Sequence, residues 1–101
     1  MLLGIKDRIW LMTILPQETN FVLLKIIRTL RQDLSFSEDE IKEFDIKPDE
    51  KGVNWNPANE KEKDINIGEM ATQIIVKQLH DLDKAEKLTE NHLSLWEKFI
   101  G

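Results

Sequence analysis

The sequence predicts an α+β fold that is mainly helical and forms a single domain over residues 1–101. Apolar residues recur every three or four positions in both halves of the chain, which is the spacing of a helix face. Between residues 44 and 67 the spacing changes to every second position, which is typical of short strands. A chain of 101 residues can build one hydrophobic core but not two stable ones. An all-α fold with an ordered acidic loop is the alternative.

The first helix is predicted over residues 2–14, where two apolar stripes share one short element. One stripe consists of Leu2, Ile5, Ile9 and Met12, and the other of Leu3, Trp10 and Ile14. Pro16 ends the helix, because a proline displaces the residue before it from the α region. Two stripes on one short helix predict burial on two sides.

The second helix is predicted from a cap at Thr19 or Asn20 to about Leu34. Its core stripe consists of Leu23, Ile26, Ile27, Leu30 and Leu34. The other side carries Lys25, Arg28 and Arg31. This basic side is either a contact surface for an acidic partner or phosphate, or a solvated side paired with the acidic segment that follows.

A short third helix and three strands follow. Ser37 and Glu40 have the spacing of a capping box, which predicts a helix to about Phe44. The apolar alternates are Phe44 and Ile46, Val53 and Trp55, and Ile65 and Ile67. Residues 48–52 and 56–59 supply turn residues between them, so the pattern predicts a short antiparallel β-meander with one face on the helices. Val53 and Trp55 are predicted on that buried face. The predicted order is therefore α-α-(short α)-β-β-β-α-α.

Two helices complete the chain. The fourth begins near Gly68 and extends to about Lys84, with Ala71, Ile74, Ile75, Leu79 and Leu82 facing the core. Thr89 can cap the last helix. The apolar residues predicted to share one side of it are Leu93, Trp96, Phe99 and Ile100.

Composition limits the classes of function. The sequence has no cysteine, which excludes disulfides, thiolate zinc sites and a cysteine nucleophile. A net charge of −5 disfavours general binding to nucleic acid, since that affinity comes from lysine and arginine. The apolar runs at 9–15 and 21–24 are shorter than the roughly 20 residues that span a bilayer. Lys6 and Arg8 interrupt any export signal, so a cytoplasmic protein without a membrane span is predicted.

The histidines and acidic residues, which could serve in catalysis or metal binding, have structural explanations. His80 is predicted on the solvated side of the fourth helix, and His92 as a partly buried structural residue of the last. The acidic residues between 38 and 50 are diluted by lysines and are predicted to form a solvated face. Neither a glycine-rich phosphate loop nor a nucleophile turn nor a metal-ligand spacing is present. The sequence thus predicts a non-enzymatic protein with no catalytic, cofactor-binding or metal site.

Several stretches together resemble small proteins of unassigned function that bacteriophages and prophages encode. The matching segments are ILP at 14–16, LKIIR at 24–28, LSFSEDEIKEF at 34–44, VNWN at 53–56, LHDLD at 79–83 and LTENHLSLWEKF at 88–99. The resemblance implies a viral or mobile-element origin and a location in the cytoplasm of a bacterial host. It implies no activity and no site.

The function predicted is that of a protein–protein interaction module, with a protein partner or a second copy as the ligand. The residues predicted to form the interface are Leu3, Trp10, Ile14, Phe21, Val22 and Leu24. This prediction depends on surplus apolar surface, because large apolar patches are uncommon on monomers. The alternative is a nucleic-acid-associated regulator that uses the helix at 20–34, through Lys25, Arg28 and Arg31, with the β-hairpin as a wing.

Overall fold

Helix α1 (Ile5–Ile14) is the central element of the fold, since three other helices pack against it. A computed structural model describes residues 1–49, 52–56 and 61–101. The other elements, in chain order, are β1 (Leu2–Leu3), α2 (Phe21–Leu34), α3 (Glu38–Glu43), β2 (Lys47–Asp49), β3 (Gly52–Asn54), β4 (Lys63–Asp64), α4 (Glu69–Lys84) and α5 (Glu90–Phe99). The predicted α+β class, mainly helical, is confirmed.

The helix boundaries follow from local capping chemistry. Asn20 caps α2, because its side chain accepts a hydrogen bond of 2.9 Å from the backbone N–H of Leu23. Ser37 and Glu40 form the predicted capping box at the start of α3. Both features are set by residues three positions apart, which is why the sequence predicts them well.

One hydrophobic cluster joins β1, α1, α2, α4 and α5. The stripe predicted for α2 faces this cluster, with Ile27, Leu30 and Leu34 buried in it. Its buried members from the other elements are Leu3, Leu11, Leu15, Ile65, Ala71, Ile74, Ile75, Leu79 and Leu95. The core therefore covers α1 on several sides, with α2, α4 and α5 as neighbours.

The predicted three-stranded meander is wrong in its pairing. The strands β2 and β3 form an antiparallel hairpin, but β4 pairs instead with β1, at the start of the chain. The first helix consequently begins at Ile5 rather than at residue 2, because Leu2 and Leu3 are held in this sheet. The pairing places Leu3 and Ile65 in the core, and such distant partners cannot be read from local alternation.

The burial of the hairpin residues also differs from the prediction. Val53, expected on a buried face, is exposed, and Trp55 lies after the strand and is half-buried. Residues 50 and 51 of the first predicted turn, and residues 57–60 at the second, lie outside the described residues.

The stripe predicted for α5 is wrong at Leu93, while Trp96, Phe99 and Ile100 do pack against the core. Leu93 is exposed, whereas Leu95 and His92 are buried. Residues 88, 92, 95 and 99 have the spacing of one helix face, and this face lies against the core. Trp96, Phe99 and Ile100 are half-buried at its margin.

A buried arginine joins three of the elements. Arg8 of α1 is 1% exposed, and its Nε donates to the carbonyl oxygen of Leu34 at 3.0 Å. Its Nη2 donates to the Ser35 carbonyl at 2.6 Å and its Nη1 to Glu40 Oε2 at 2.5 Å. The guanidinium also lies 4.1 Å from the ring centre of Phe36. These five residues are called the Arg8 cluster.

A second ion pair joins the two ends of the described chain. Lys98 Nζ of α5 donates to Asp7 Oδ2 at 2.7 Å and to the Leu2 carbonyl at 2.9 Å. Burial acts to lower the pKa of Lys98, but hydrogen bonding and attraction from Asp7 and Glu62 outweigh it and raise that pKa. Lys98 therefore stays charged and holds α5 against the start of α1.

Replacing Arg8 is expected to destabilise the fold strongly. The change Arg8→Ala leaves the partly buried Glu40 carboxylate without its guanidinium partner and two helix-end carbonyls without their donor. Urea unfolding should therefore show a loss of about 3–5 kcal/mol. The matched control is Lys6→Ala, because Lys6 is exposed on the same helix; its effect should stay within about 0.5 kcal/mol. A loss below about 1 kcal/mol for Arg8→Ala would contradict the structural role of the cluster.

Candidate functional site

The outer face of α2 combines apolar and basic side chains that point away from the core. It consists of Phe21, Leu24, Lys25, Arg28 and Arg31, which recur at helical spacing. Phe21 is 73% exposed and Leu24 is also exposed. Lys25 and Arg28 are exposed, and Arg31 is half-buried. This face therefore presents an aromatic ring at one end of the helix and guanidinium groups towards the other.

The outer face borders an open groove of about 800 Å³. The other wall comes from Pro16 and Gln17, in the connection between α1 and α2, and Ile27 contributes from the core side. Lys25 Nζ lies 5.4 Å from the ring centre of Phe21, so a cation stands beside the most exposed aromatic side chain. The groove is thus apolar near Phe21 and basic along its length.

The charges of this groove are of one sign. Its lining includes Lys25, Arg28 and Arg31, and no carboxylate among the described residues. None of the three cations forms an ion pair within residues 1–49, 52–56 and 61–101. Three uncompensated positive charges therefore stand together on a chain whose net charge is −5.

Neighbouring grooves have mixed charge. The groove of about 570 Å³ between α2 and the start of α4 includes Asp33 and Glu69 as well as Lys25. Another, of about 540 Å³, includes Asp33, Glu40 and Asp64 together with Lys63. Opposite charges in one groove partly cancel each other's field, which makes the outer face of α2 distinct in its electrostatics.

The outer face is presented by a firmly held helix. Its opposite side, with Ile27, Leu30 and Leu34, is buried in the core. Asn20 caps one end, and the carbonyl of Leu34 at the other end accepts from Arg8. Because the helix is anchored at both ends, its exposed side chains are displayed at fixed spacing.

No protein-family model matches this chain, and no curated protein or solved structure matches it.

The structure divides the six residues predicted as an interface into two groups. Phe21, Val22 and Leu24 are exposed at the start of α2. Leu3 is fully buried, so the prediction for this residue is wrong. Trp10 and Ile14 are half-buried and pack against the core. The premise of surplus apolar surface on α1 fails, because Trp10, Met12 and Ile14 pack against the core of the same chain.

The three basic residues of the alternative prediction do lie together. Lys25, Arg28 and Arg31 share the groove with Phe21 and Leu24, so the basic set meets two of the six predicted interface residues on one helix face. Sequence reasoning missed Pro16 and Gln17 as the opposite wall. The signal was present, since Pro16 ends α1 just before α2 begins and so places this connection beside the start of α2.

The two histidines have structural partners. His92 is buried, and its Nδ1 accepts from the backbone N–H of Thr89 at 3.0 Å, which completes the cap of α5. Its ring meets Trp10 edge-on, with 5.4 Å between ring centres. Burial lowers the pKa of His92, so the ring is neutral near pH 7. His80 is exposed and packs edge-on against Trp96 at 5.3 Å.

The carboxylate of Glu40 likewise has structural partners. Hydrogen bonds from Arg8 hold the pKa of Glu40 at about 2, against the opposing effect of its burial. A carboxylate with this pKa stays ionised near neutral pH and does not act as a general acid there. Among the described residues there is no group of three or more potential ligands suited to a metal ion. No helix in the described part of the chain is long and apolar enough to cross a membrane.

Acid should weaken the fold through His92 in a defined pH window. The folded protein resists protonation of His92, whereas the unfolded chain takes up the proton near pH 6.5. Stability contributed by the neutral ring is therefore present above pH 6.5 and is lost as the pH falls through the lowered pKa. The slope is at most about 1.4 kcal/mol per pH unit for one group.

Urea unfolding between pH 7.5 and about 5 measures this effect. His92→Gln should remove the slope, because glutamine can accept the same Thr89 N–H without titrating. His80→Gln is the control and should leave the slope unchanged. A wild-type stability that is flat over this range would contradict the assignment. Loss of stability below pH 4.5 is a separate process, in which Glu40 is protonated.

The exposed apolar residues of α2 should be dispensable for folding. Phe21→Ser and Leu24→Ser are expected to change the free energy of unfolding by about 0.5 kcal/mol or less, since surface substitutions away from packed features have small effects. Leu30→Ala, on the buried side of the same helix, should cost about 2–5 kcal/mol. Thermal and urea unfolding compare the three variants. A large loss for Phe21→Ser would place its ring in the core instead.

Proposed function

We propose that this protein is a non-enzymatic protein–protein interaction module that binds its partner through the outer face of α2. One observation carries the proposal. An exposed aromatic ring, an exposed leucine and three cations without ion-pair partners in the described chain line the same groove. The exposed apolar side chains gain free energy when a second surface covers them, and the cations can pair with carboxylates that this surface brings.

The residue types support this role. Aromatic residues and arginine are enriched at protein interfaces, and both recur among the residues that dominate binding energy. Phe21 supplies a large apolar area, and Arg28 and Arg31 supply fixed sets of donors that match carboxylates. The rigid attachment of α2 reduces the ordering cost of binding, because the groove exists before the partner arrives.

A nucleic-acid-associated regulator is the second candidate. The observation in its favour is the same group of Lys25, Arg28 and Arg31 beside an exposed aromatic ring, a combination that can bind phosphates and stack a base. The net charge of −5 opposes it through long-range repulsion. Affinity that falls steeply with salt, and that does not depend on Leu24, would favour this candidate.

In cellular terms, we propose an accessory protein of a phage or prophage that acts on a host or viral protein in the bacterial cytoplasm. The sequence resemblance supports this setting. A second copy of the chain is the simplest partner to test for first, and sedimentation at micromolar concentration detects it.

Selection of peptides tests the module directly. A displayed library of random peptides is panned on the wild-type protein and, in parallel, on the double variant Phe21→Ser plus Leu24→Ser. Peptides should be enriched on the wild type. Enrichment on the double variant should be at least tenfold lower, because the two substitutions remove the apolar part of the groove. Circular dichroism confirms that both proteins fold equally.

The matched control is Leu93→Ser, which removes an exposed leucine from a different helix. It should enrich the same peptides as the wild type. Failure to enrich any peptide, or equal enrichment on the double variant, would refute the outer face of α2 as the binding surface.

A further inference from the structure

We infer that the partner segment is a short acidic amphipathic helix, which lies along α2 with its apolar residues over Phe21 and its carboxylates over Arg28 and Arg31. This inference rests on the proposed function and names the chemistry of its ligand.

The charge of the groove selects an acidic ligand. Among the described residues, all three ionisable side chains that line it are cations, while the neighbouring grooves include two or three carboxylates each. A basic ligand would therefore be repelled here, and a neutral one would leave the guanidinium groups without partners. Carboxylates satisfy them, because the planar guanidinium donates two parallel hydrogen bonds to one carboxylate.

The order of apolar and basic residues along α2 determines the orientation of the ligand. Phe21 and Leu24 lie at the start of the helix, and Arg28 and Arg31 lie one to three turns further along. Ten residues separate Phe21 from Arg31, which corresponds to about 15 Å at the helical rise. A ligand that spans this distance needs apolar residues at one end and acidic residues about two turns away.

A helical ligand fits better than an extended one. The groove lies between a helix and a connecting segment and offers no strand edge among the residues that line it. An extended segment would find few backbone partners here, whereas a helix satisfies its own N–H and C=O groups. Three helical turns cover about 15 Å, so a ligand of about 10–16 residues suffices.

The apolar end argues against a phosphate chain as the ligand. Phe21, Leu24, Ile27 and Pro16 contribute half of the lining side chains named for this groove, and phosphates gain nothing from covering them. Binding to nucleic acid also acts against the net charge of −5. The observations therefore favour a protein segment, and nucleic acid becomes an outcome of the test.

Designed peptides test the inference. The probe is a fluorescent alanine-based helix of about 16 residues, with two leucines four positions apart near one end and three glutamates towards the other. Fluorescence anisotropy should show saturable binding to the wild-type protein. The peptide with glutamine in place of glutamate should bind at least tenfold more weakly, and so should a peptide with the glutamates moved beside the leucines.

Charge reversal provides the specific readout. Arg28→Glu plus Arg31→Glu should abolish binding of the glutamate peptide and create binding of a lysine peptide of the same design. Lys25→Glu should weaken binding of the glutamate peptide about fivefold or more. Leu93→Ser should leave every affinity unchanged. Binding gained by the reversed pair cannot come from a variant that fails to fold.

Three outcomes would overturn the inference. They are equal binding of the glutamine and glutamate peptides, tighter binding of a single- or double-stranded oligonucleotide than of the glutamate peptide, and a homodimer of the wild type that Phe21→Ser dissociates. Library peptides whose binding requires Phe21 but which carry no acidic residues would refute the acidic ligand. They would still support the proposed interaction module. A library that enriches nothing on the outer face of α2 would refute both.

Discussion

The Arg8 guanidinium is the interaction on which the arrangement of the helices depends. It is buried in α1 and reaches the last carbonyls of α2 and the carboxylate at the start of α3. A buried arginine is costly unless its donors are satisfied, so the chain from Leu34 to Glu40 has to pass around this group. Glu40 serves twice, because it also completes the cap of α3. The end of α2, the turn and α3 are thereby held to the central helix by one side chain.

The exposure of the outer face of α2 follows from this arrangement. The inner stripe of α2 packs into the core, and Arg8 holds its last turn. The Lys98–Asp7 pair holds α5 on another side of α1, and Trp10 and Ile14 of α1 pack against the core. The core is thus complete without Phe21 and Leu24. Their exposure is not a defect of packing, and the binding proposed for this groove would cover both side chains.

The sequence predicted those features that depend on residues a few positions apart. Asn20 and Ser37 cap helices as expected, and the stripe of α2 faces the core. The features it missed depend on distant partners: β1 pairs with β4, and Arg8 meets Glu40 32 positions away. Of the six residues predicted as an interface, three are exposed and three are not, for the same reason. Phe21, Val22 and Leu24 lie outside a local stripe that the sequence shows, whereas the cover over Leu3, Trp10 and Ile14 comes from distant parts of the chain.

The acidic segment that follows α2 explains why the basic face keeps its charge. Its carboxylates were the natural partners for Lys25, Arg28 and Arg31, but several are already engaged elsewhere. Glu40 pairs with Arg8 and Lys63, Glu43 with Lys61, and Asp45 with Lys47. The cations of α2 are left without an ion pair in the described chain. Their field acts on whatever approaches the groove, which is why the proposed ligand carries carboxylates.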